Sequence, residues 1–304
     1  MNWQATFPTR RSVREHGVPP SGDGTRGEFK AAGNGNVSPA GAGTSCGSVR
    51  GFTLLELLAV IAIVGVLAAL LSSALNQTKA RAHQIGCLNN LRQLQQAWIF
   101  YAEDNDDMLP LNRSMPSALP KAFGWRNTAD SWVTGNPKED TSTQNIENGS
   151  LFRYVNSPSI YRCPADDTRV AVKASLRRTR SYSMSAYLNG DEVDVDPRVK
   201  VKLSDVQMQP ASKIFVFIEE DMTSPWLGSF KVMPVDSTSL AAAASFASVP
   251  GAWHNGGCDL SFADGHVEFW RWYASRKAAK SVSPATVRQQ LQNVRRLQEA
   301  IPKP

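Results

Sequence analysis

Residues Phe52–Leu71 read FTLLELLAVIAIVGVLAALL, and this stretch decides the architecture of the chain. Its 20 residues carry a single charge, that of Glu56. A helix of that length crosses the hydrocarbon core of a bilayer, which is about 30 Å thick. We therefore predict a transmembrane helix over residues 52–72. A cleaved secretory signal fits less well, because its apolar core is usually about 7–15 residues long.

The segment before this helix, residues 1–51, has the composition of a disordered leader. It contains 10 of the 21 glycines in the chain, and its apolar residues are few and without periodicity. Such a segment cannot bury enough surface to offset its ordering entropy. Six basic and three acidic residues give the leader a charge of +3, half of the +6 of the whole chain. Positive charge before an apolar span places the N-terminus in the cytoplasm and the remainder of the chain outside. We therefore interpret the net positive charge as a signal for membrane orientation, and we expect no nucleic-acid partner.

The junction between leader and helix carries a recognisable motif. Gly51-Phe52-Thr53-Leu54-Leu55-Glu56, followed by the apolar run, closely resembles the processing site of type IV prepilins and type II secretion pseudopilins. The resemblance implies that prepilin peptidase cuts after Gly51 and methylates the new amine of Phe52. It also implies that Glu56 pairs with the N-terminal amine of a neighbouring subunit during assembly. A carboxylate in an apolar span needs such a partner, unless it lies at the hydrated interface.

The resemblance also implies a location and a set of partners. The mature chain would sit in the inner membrane as a single-pass protein, with its head in the periplasm, or in a filament after processing. Its partners would be prepilin peptidase, other pilin or pseudopilin subunits packed along the N-terminal helix, and an inner-membrane assembly platform. The implied leader of 51 residues is longer than the short leaders of ordinary type IVa pilins.

The helical pattern continues beyond the apolar span as an amphipathic helix over residues 73–102. Apolar positions recur at steps of three or four residues, which predicts one buried stripe packed against a folded head. The stripe comprises Leu75, Thr78, Ala82, Ile85, Leu88, Leu91, Leu94, Trp98 and Tyr101. A coiled coil is the alternative, but sustained e/g charge pairs are absent.

Residues 103–304 predict an exported α+β head. Strand patterns occur at 180–188, 199–203, 213–218 and 260–269, the last as a hairpin around Asp264-Gly265. Ser283-Pro284 starts an amphipathic helix at about 284–301, which could dock on the head or on a partner. The expected fold is therefore α+β and type IV pilin-like: a long N-terminal helix, membrane-spanning in its first half, packed on an antiparallel sheet, with a C-terminal amphipathic helix.

A narrower resemblance concerns the C-terminal half. His254 precedes Asp264-Gly265 with nine residues between, in HNGGCDLSFADGHVEF, and similar motifs occur around Cys87, Tyr101 and Cys163. Together they look like the large pilin-like proteins of planctomycetes and verrucomicrobia that are named for this His-x9-Asp-Gly spacing. The resemblance implies a fold and an export route, and it assigns no biochemical role to the signature.

Several residues could carry chemistry. His254, Asp264, His266, Glu219 and Glu220 could form a metal or hydrolytic site, but we favour a structural hydrogen bond between His254 and Asp264 that fixes two loops. No phosphate-binding loop or zinc-finger spacing occurs. We therefore expect a structural protein without a catalytic site or cofactor.

Acidic residues cluster where the long helix should end. Four carboxylates in the five residues from Glu103 to Asp107 make a calcium site conceivable, with Asp104, Asp106 and Asp107 as its ligands. The EF-hand pattern is not met, because no glycine or distant glutamate follows at the right offset. We favour a solvated turn after the helix.

The cysteines allow one disulfide in the mature chain. Cys46 leaves with the leader, so Cys87, Cys163 and Cys258 remain, with three pairings open. Oxidation is permitted beyond the membrane. We favour a Cys87–Cys163 bond, which would link the helix to the head, and a buried thiol at Cys258.

Three functions follow from these patterns. The first is a pilin or pseudopilin subunit that assembles into a type IV pilus or a type II secretion pseudopilus. The second is a membrane-anchored extracytoplasmic binding module that shares the processing signal but does not polymerise. The third is a tethered hydrolase that uses His254 and Asp264.

Overall fold

A computed structural model describes residues 51–117, 124–225, 227–232, 247–273 and 284–304. The predicted leader, apart from Gly51, and the predicted helix cap Ser283 lie outside these residues. Residues Leu57–Pro304 form one compact unit, and Met1–Glu56 belong to another.

The first element is a single long helix, α1, which spans Leu54–Asp104. Its 51 residues extend about 77 Å at 1.5 Å per residue. No proline interrupts it, which explains why the apolar half and the polar half form one continuous helix. An 18-residue window of α1 has a mean hydropathy of 2.9 and no buried residue, so the helix is long and apolar enough to cross a membrane.

The C-terminal part of α1 packs into the head through a shorter stripe than the sequence predicts. Leu75 and Ile85, two positions of the predicted stripe, are 51% and 68% exposed. The contact with the head begins near residue 87, because the predicted stripe extends further toward the membrane than the folded head does. The buried face of α1 comprises Cys87, Leu91, Leu94, Gln95, Ala97, Trp98 and Ala102.

Within the described residues, the head combines a five-stranded sheet with two small ribbons and short helices. The α-helices described after α1 are α2 (Gln144–Glu147), α3 (Phe152–Val155), α4 (Leu203–Gln207) and α5 (Pro284–Glu299). The ribbons pair β1 (Ser114–Pro116) with β2 (Trp125–Asn127), and β3 (Arg169–Val170) with β4 (Lys173–Arg177). The main sheet contains β5 (Tyr182–Ser185), β6 (Phe215–Glu219), β7 (Ser229–Phe230), β8 (Gly257–Phe262) and β9 (Val267–Arg271).

The strand order of the main sheet is β7-β5-β6-β8-β9. All neighbours are antiparallel except β5 and β7, which are parallel. This arrangement confirms the predicted α+β fold with an N-terminal helix, an antiparallel sheet and a C-terminal helix. It also confirms the hairpin around Asp264-Gly265, where β8 turns into β9.

Both faces of the sheet are covered. One hydrophobic cluster joins Leu91, Leu94 and Trp98 of α1 to strand residues such as Met184 and Phe217. A second cluster joins Leu297 and Ile301, in and just after α5, to the tryptophans and phenylalanines of β6, β8 and β9. Every residue of β5, β6 and β8 is consequently buried. The C-terminal helix docks on the head.

The strand predicted at 199–203 does not form. Lys200 and Lys202 make only isolated bridges, to Leu188 and Met108, and Leu203 begins α4. The β-branched valines at 199 and 201 suggested a strand, but the segment has no extended neighbour to complete a ladder. Local propensity is therefore overridden by tertiary context.

Candidate functional site

The predicted processing junction lies at the exposed start of α1. Phe52 is 71% exposed, and a Cβ atom added to Gly51 would meet no other atom within 4 Å. Both residues precede the first helical residue, Leu54. An uncovered dipeptide outside the helix is accessible to a peptidase.

Glu56 forms a capping box with Thr53. The backbone N–H and the hydroxyl of Thr53 each donate to Glu56 Oε2 at 2.9 Å, and the backbone N–H of Glu56 donates back to Thr53 Oγ1 at 3.2 Å. Thr53 is the N-cap and Glu56 the third helical residue, which is the spacing of this motif. Glu56 therefore has a structural role within its own chain in addition to its predicted role between subunits.

The apolar half of α1 is fully uncovered. From Leu57 to Leu71 the large apolar side chains are 48–70% exposed. A continuous apolar surface of this size is not stable in water and marks contact with lipid or with another protein. The polar groups of its backbone are satisfied within the helix, as a bilayer requires.

The residues of the His-x9-Asp-Gly signature do not meet in the fold. His254 lies before β8 and Asp264 after it, and a six-residue strand separates its two ends by about 20 Å. Asp264 Oδ1 instead contacts His266 Nδ1 at 2.5 Å in the exposed hairpin turn, where Gly265 has a φ of +96°. The predicted hydrogen bond between His254 and Asp264 is therefore wrong, and so is the pairing on which the hydrolase hypothesis depends.

His254 lies instead in a buried group of four residues, which we call the Cys–His–Glu cluster: Cys87, Cys163, Glu219 and His254. One potential ligand atom from each side chain can be chosen so that all four lie within 4.8 Å of one another. His254 Nε2 lies 3.3 Å from Cys163 Sγ and 3.1 Å from Glu219 Oε1. Cys87 donates to the same Glu219 oxygen at 3.0 Å.

Four separate segments supply this cluster. Cys87 comes from α1, Cys163 from the loop before β3, Glu219 from the end of β6 and His254 from the loop before β8. The loop of Cys163 is held by a buried polar chain, in which Asp166 pairs with Arg178 and accepts from Ser181, whose Oγ accepts the N–H of Cys163. The geometry of the cluster is thus fixed by the surrounding fold.

The electrostatics of the cluster reflect burial and close contacts. Burial lowers the pKa of His254, but its contacts with Cys163 and Glu219 outweigh this effect and raise that pKa to about 10. Burial raises the pKa of the Cys87 thiol well above its usual range, and the neighbouring Cys163 and Glu219 raise it further. Burial and the proximity of Glu219 raise the pKa of Asp259, which adjoins the cluster, to about 7.

The structure brings Cys87 and Cys163 together, as predicted, but not as a disulfide. Both are free thiols, and each faces a different partner: Cys87 contacts Glu219, and Cys163 contacts His254. Cys258 is also a free, buried cysteine, as expected. Sequence reasoning weighed His254 with Glu219 but missed the two cysteines as their neighbours.

Two of the three carboxylates suggested for calcium have structural partners. Asp107 accepts the backbone N–H of Ser204 at 3.1 Å in the first turn of α4, and Asp104 accepts the hydroxyl of Tyr154 at 3.1 Å. Asp106 lies in the exposed turn after α1, where its φ is 53°. Asp106 and Asp107 thus lie in a turn, as predicted, whereas Glu103 and Asp104 belong to the last turn of α1.

Comparison with protein-family models matches residues 47–72 to the prokaryotic N-terminal methylation motif. No curated protein and no solved structure matches the chain. The motif implies processing by prepilin peptidase and assembly with other pilin subunits, and proteins that carry it are usually structural subunits. With the apolar helix it also supports membrane anchoring. The match therefore supports a type IV pilin-like protein.

Proposed function

We propose that this protein is a pilin-like structural subunit of a type IV pilus or a type II secretion pseudopilus. In this proposal it is cleaved after Gly51, methylated at Phe52 and packed against other subunits through the N-terminal half of α1. One observation carries the proposal: the accessible Gly51-Phe52 junction leads directly into an uncovered apolar helix that bears one acidic residue.

The location follows from the same segment. The basic leader favours a cytoplasmic N-terminus, so the head would lie in the periplasm and the apolar helix in the inner membrane before assembly. Extraction into a filament replaces lipid by neighbouring helices around the same apolar surface. The assembly platform of the inner membrane is the partner that this step requires.

Cleavage and methylation are tested by the intact mass of the protein from cells that contain prepilin peptidase. The expected mass is that of residues 52–304 plus one methyl group. Gly51→Val is the matched control, because a Cβ atom added at this exposed position meets no other atom within 4 Å. It should leave the leader attached, since the peptidase requires a small residue there. An uncleaved wild-type chain would contradict the proposal.

Assembly is tested separately by shearing filaments from cells and probing them for the head. Recovery of the head in the sheared fraction supports a subunit. A processed chain that stays entirely in the membrane fraction supports the non-polymerising anchored module instead.

A further inference from the structure

We propose that Cys87, Cys163, Glu219 and His254 form a structural zinc site that fastens α1 to the sheet of the head. This inference stands on the geometry of the head and is independent of the function proposed above.

The spacing of the four side chains suits a tetrahedral ion. Zinc binds cysteine sulfur at about 2.3 Å and histidine nitrogen or carboxylate oxygen at about 2.0–2.2 Å, so neighbouring ligand atoms lie about 3.3–3.8 Å apart. The contacts His254–Cys163, His254–Glu219 and Cys87–Glu219 measure 3.3, 3.1 and 3.0 Å. These three distances are a few tenths of an ångström short of tetrahedral spacing, and all four ligand atoms lie within 4.8 Å of one another, so side-chain adjustments would form the coordination shell.

The site is closed, as structural zinc sites are. Cys87, Cys163 and Glu219 are wholly buried and His254 is 5% exposed. Four protein ligands complete the coordination and leave no position for water or substrate. This closure indicates a structural role and argues against a catalytic one.

Neighbouring groups orient the ligands. The backbone N–H of Asp259 donates to Glu219 Oε2 at 2.9 Å, which leaves Oε1 facing the cluster. The hydroxyl of Tyr182 donates to Cys87 Sγ at 3.2 Å, and the N–H of Ala165 donates to Cys163 Sγ at 3.4 Å. Donors of this kind stabilise thiolates and fix ligand geometry around metal ions.

The charge around the cluster also calls for a cation. Asp259 lies beside it, with Oδ2 3.4 Å from His254 Nε2, and its carboxylate also interacts with the side chains of Cys87 and Gln84. Among the described residues, neither Glu219 nor Asp259 has a lysine or arginine within ion-pair distance. Buried carboxylates are normally paired or bound to a metal. In the absence of a metal, His254 is the cationic partner of both carboxylates. A divalent cation bound by the same atoms would take over that role.

The mixture of ligands selects zinc over other ions. Calcium and magnesium prefer oxygen ligands, whereas two thiolates, one imidazole and one carboxylate suit a borderline-soft ion with tetrahedral preference. The site would join positions 87, 163, 219 and 254, and so would fix the long helix to the loops and strands that cover it.

The test is the metal content of the full chain, solubilised in detergent and purified without chelator, measured by inductively coupled plasma mass spectrometry. We expect about one zinc per chain. Cys87→Ser and Cys163→Ser should each reduce it at least tenfold. Cys258→Ser should retain it, because this buried thiol is not part of the cluster.

A second measurement on wild-type protein keeps the test valid if a cysteine variant fails to fold. The metal-depleted chain is titrated with Co²⁺ alone, and the visible spectrum should develop the intense bands and the sulfur-to-metal charge transfer of a tetrahedral thiolate site. Zn²⁺ should then displace these bands. Wild-type protein that contains no zinc and binds no Co²⁺ while its thiols are reduced would overturn the proposal. An intact mass that shows a Cys87–Cys163 disulfide in the native chain would overturn it too.

Discussion

The guanidinium of Arg178 forms an ion pair with the carboxylate of Asp166, and both side chains are almost completely buried. Arg178 also donates to the carbonyl of Glu220 at 2.9 Å and lies 4.8 Å from the ring centroid of Trp253. Asp166 accepts from Ser181 at 2.5 Å and thereby holds the loop of Cys163. The pair connects the fold of the head to the Cys–His–Glu cluster.

Removal of one partner from this pair should be strongly destabilising. Arg178→Met leaves the carboxylate of Asp166 buried without its counter-ion, which typically costs about 3–5 kcal/mol. The free energy of unfolding, from denaturant titration of the detergent-solubilised protein followed by tryptophan fluorescence, checks this expectation.

The adjacent ion pair provides the control. Arg177 and Asp167 approach within 2.7 Å, but their side chains are 43% and 77% exposed. Arg177→Met should change the unfolding free energy by less than about 1 kcal/mol, because solvent screens surface pairs. Equal effects of the two substitutions would mean that Arg178 is not buried as described.

Trp98 tests which face of α1 packs on the head. Trp98 is wholly buried, whereas Phe100, two residues later, is 53% exposed. Trp98→Ala should cost about 3–5 kcal/mol of unfolding free energy, and Phe100→Ala should stay within about 0.5 kcal/mol. The same denaturant titration measures both. If Phe100→Ala lowered the free energy of unfolding more than Trp98→Ala does, α1 would have to be rotated about its axis so that Phe100 faces the head.

Leu297 tests the docking of α5. Its side chain is 1% exposed and packs with Phe215, Leu260 and Trp272, whereas Arg295 in the same helix is exposed. Leu297→Ala should destabilise the head by about 2–5 kcal/mol, with little effect from Arg295→Ala. Thermal unfolding followed by near-ultraviolet circular dichroism distinguishes the two variants. If Leu297→Ala left the thermal stability of the head unchanged, α5 would not contribute to the core.

The sequence predicted the elements whose signals are local. The apolar run of α1, the turn at Asp264-Gly265 and the apolar spacing of α5 each depend on residues that are neighbours along the chain. The rotation and the extent of packing of α1 were less predictable. Leu75 and Ile85 fit the apolar period, but only the position of the folded head decides where burial begins.

The Cys–His–Glu cluster could not be predicted from local sequence patterns. Cys87 and Glu219 are 132 positions apart, and Cys163 and His254 are 91 apart, so no short motif unites them. The nine-residue spacing between His254 and Asp264 suggested the wrong partner, because an intervening strand carries the two residues apart. A prediction of which loops and strands pack against α1 would have been needed to place Cys87 and Cys163 beside His254 and Glu219.

The observed capping role of Glu56 and its proposed role between subunits can be separated by experiment. The capping box with Thr53 needs a hydrogen-bond acceptor at this position, and glutamine supplies one. Pairing with the amine of a neighbouring subunit needs a negative charge. Glu56→Gln should therefore preserve the start of the helix and cleavage after Gly51, yet reduce the sheared-filament fraction at least tenfold.

Thr53→Val gives the reciprocal test. It removes the hydroxyl that accepts the N–H of Glu56 and donates to its carboxylate, at a cost of about 1 kcal/mol to the helix start. The charge of Glu56 remains, so filament yield should stay close to that of the wild type. If Thr53→Val abolished filaments and Glu56→Gln left them unchanged, the capping box would be the functional feature. The low dielectric around an intramembrane carboxylate favours the opposite result, because an unpaired charge there is costly and a neighbouring amine relieves that cost.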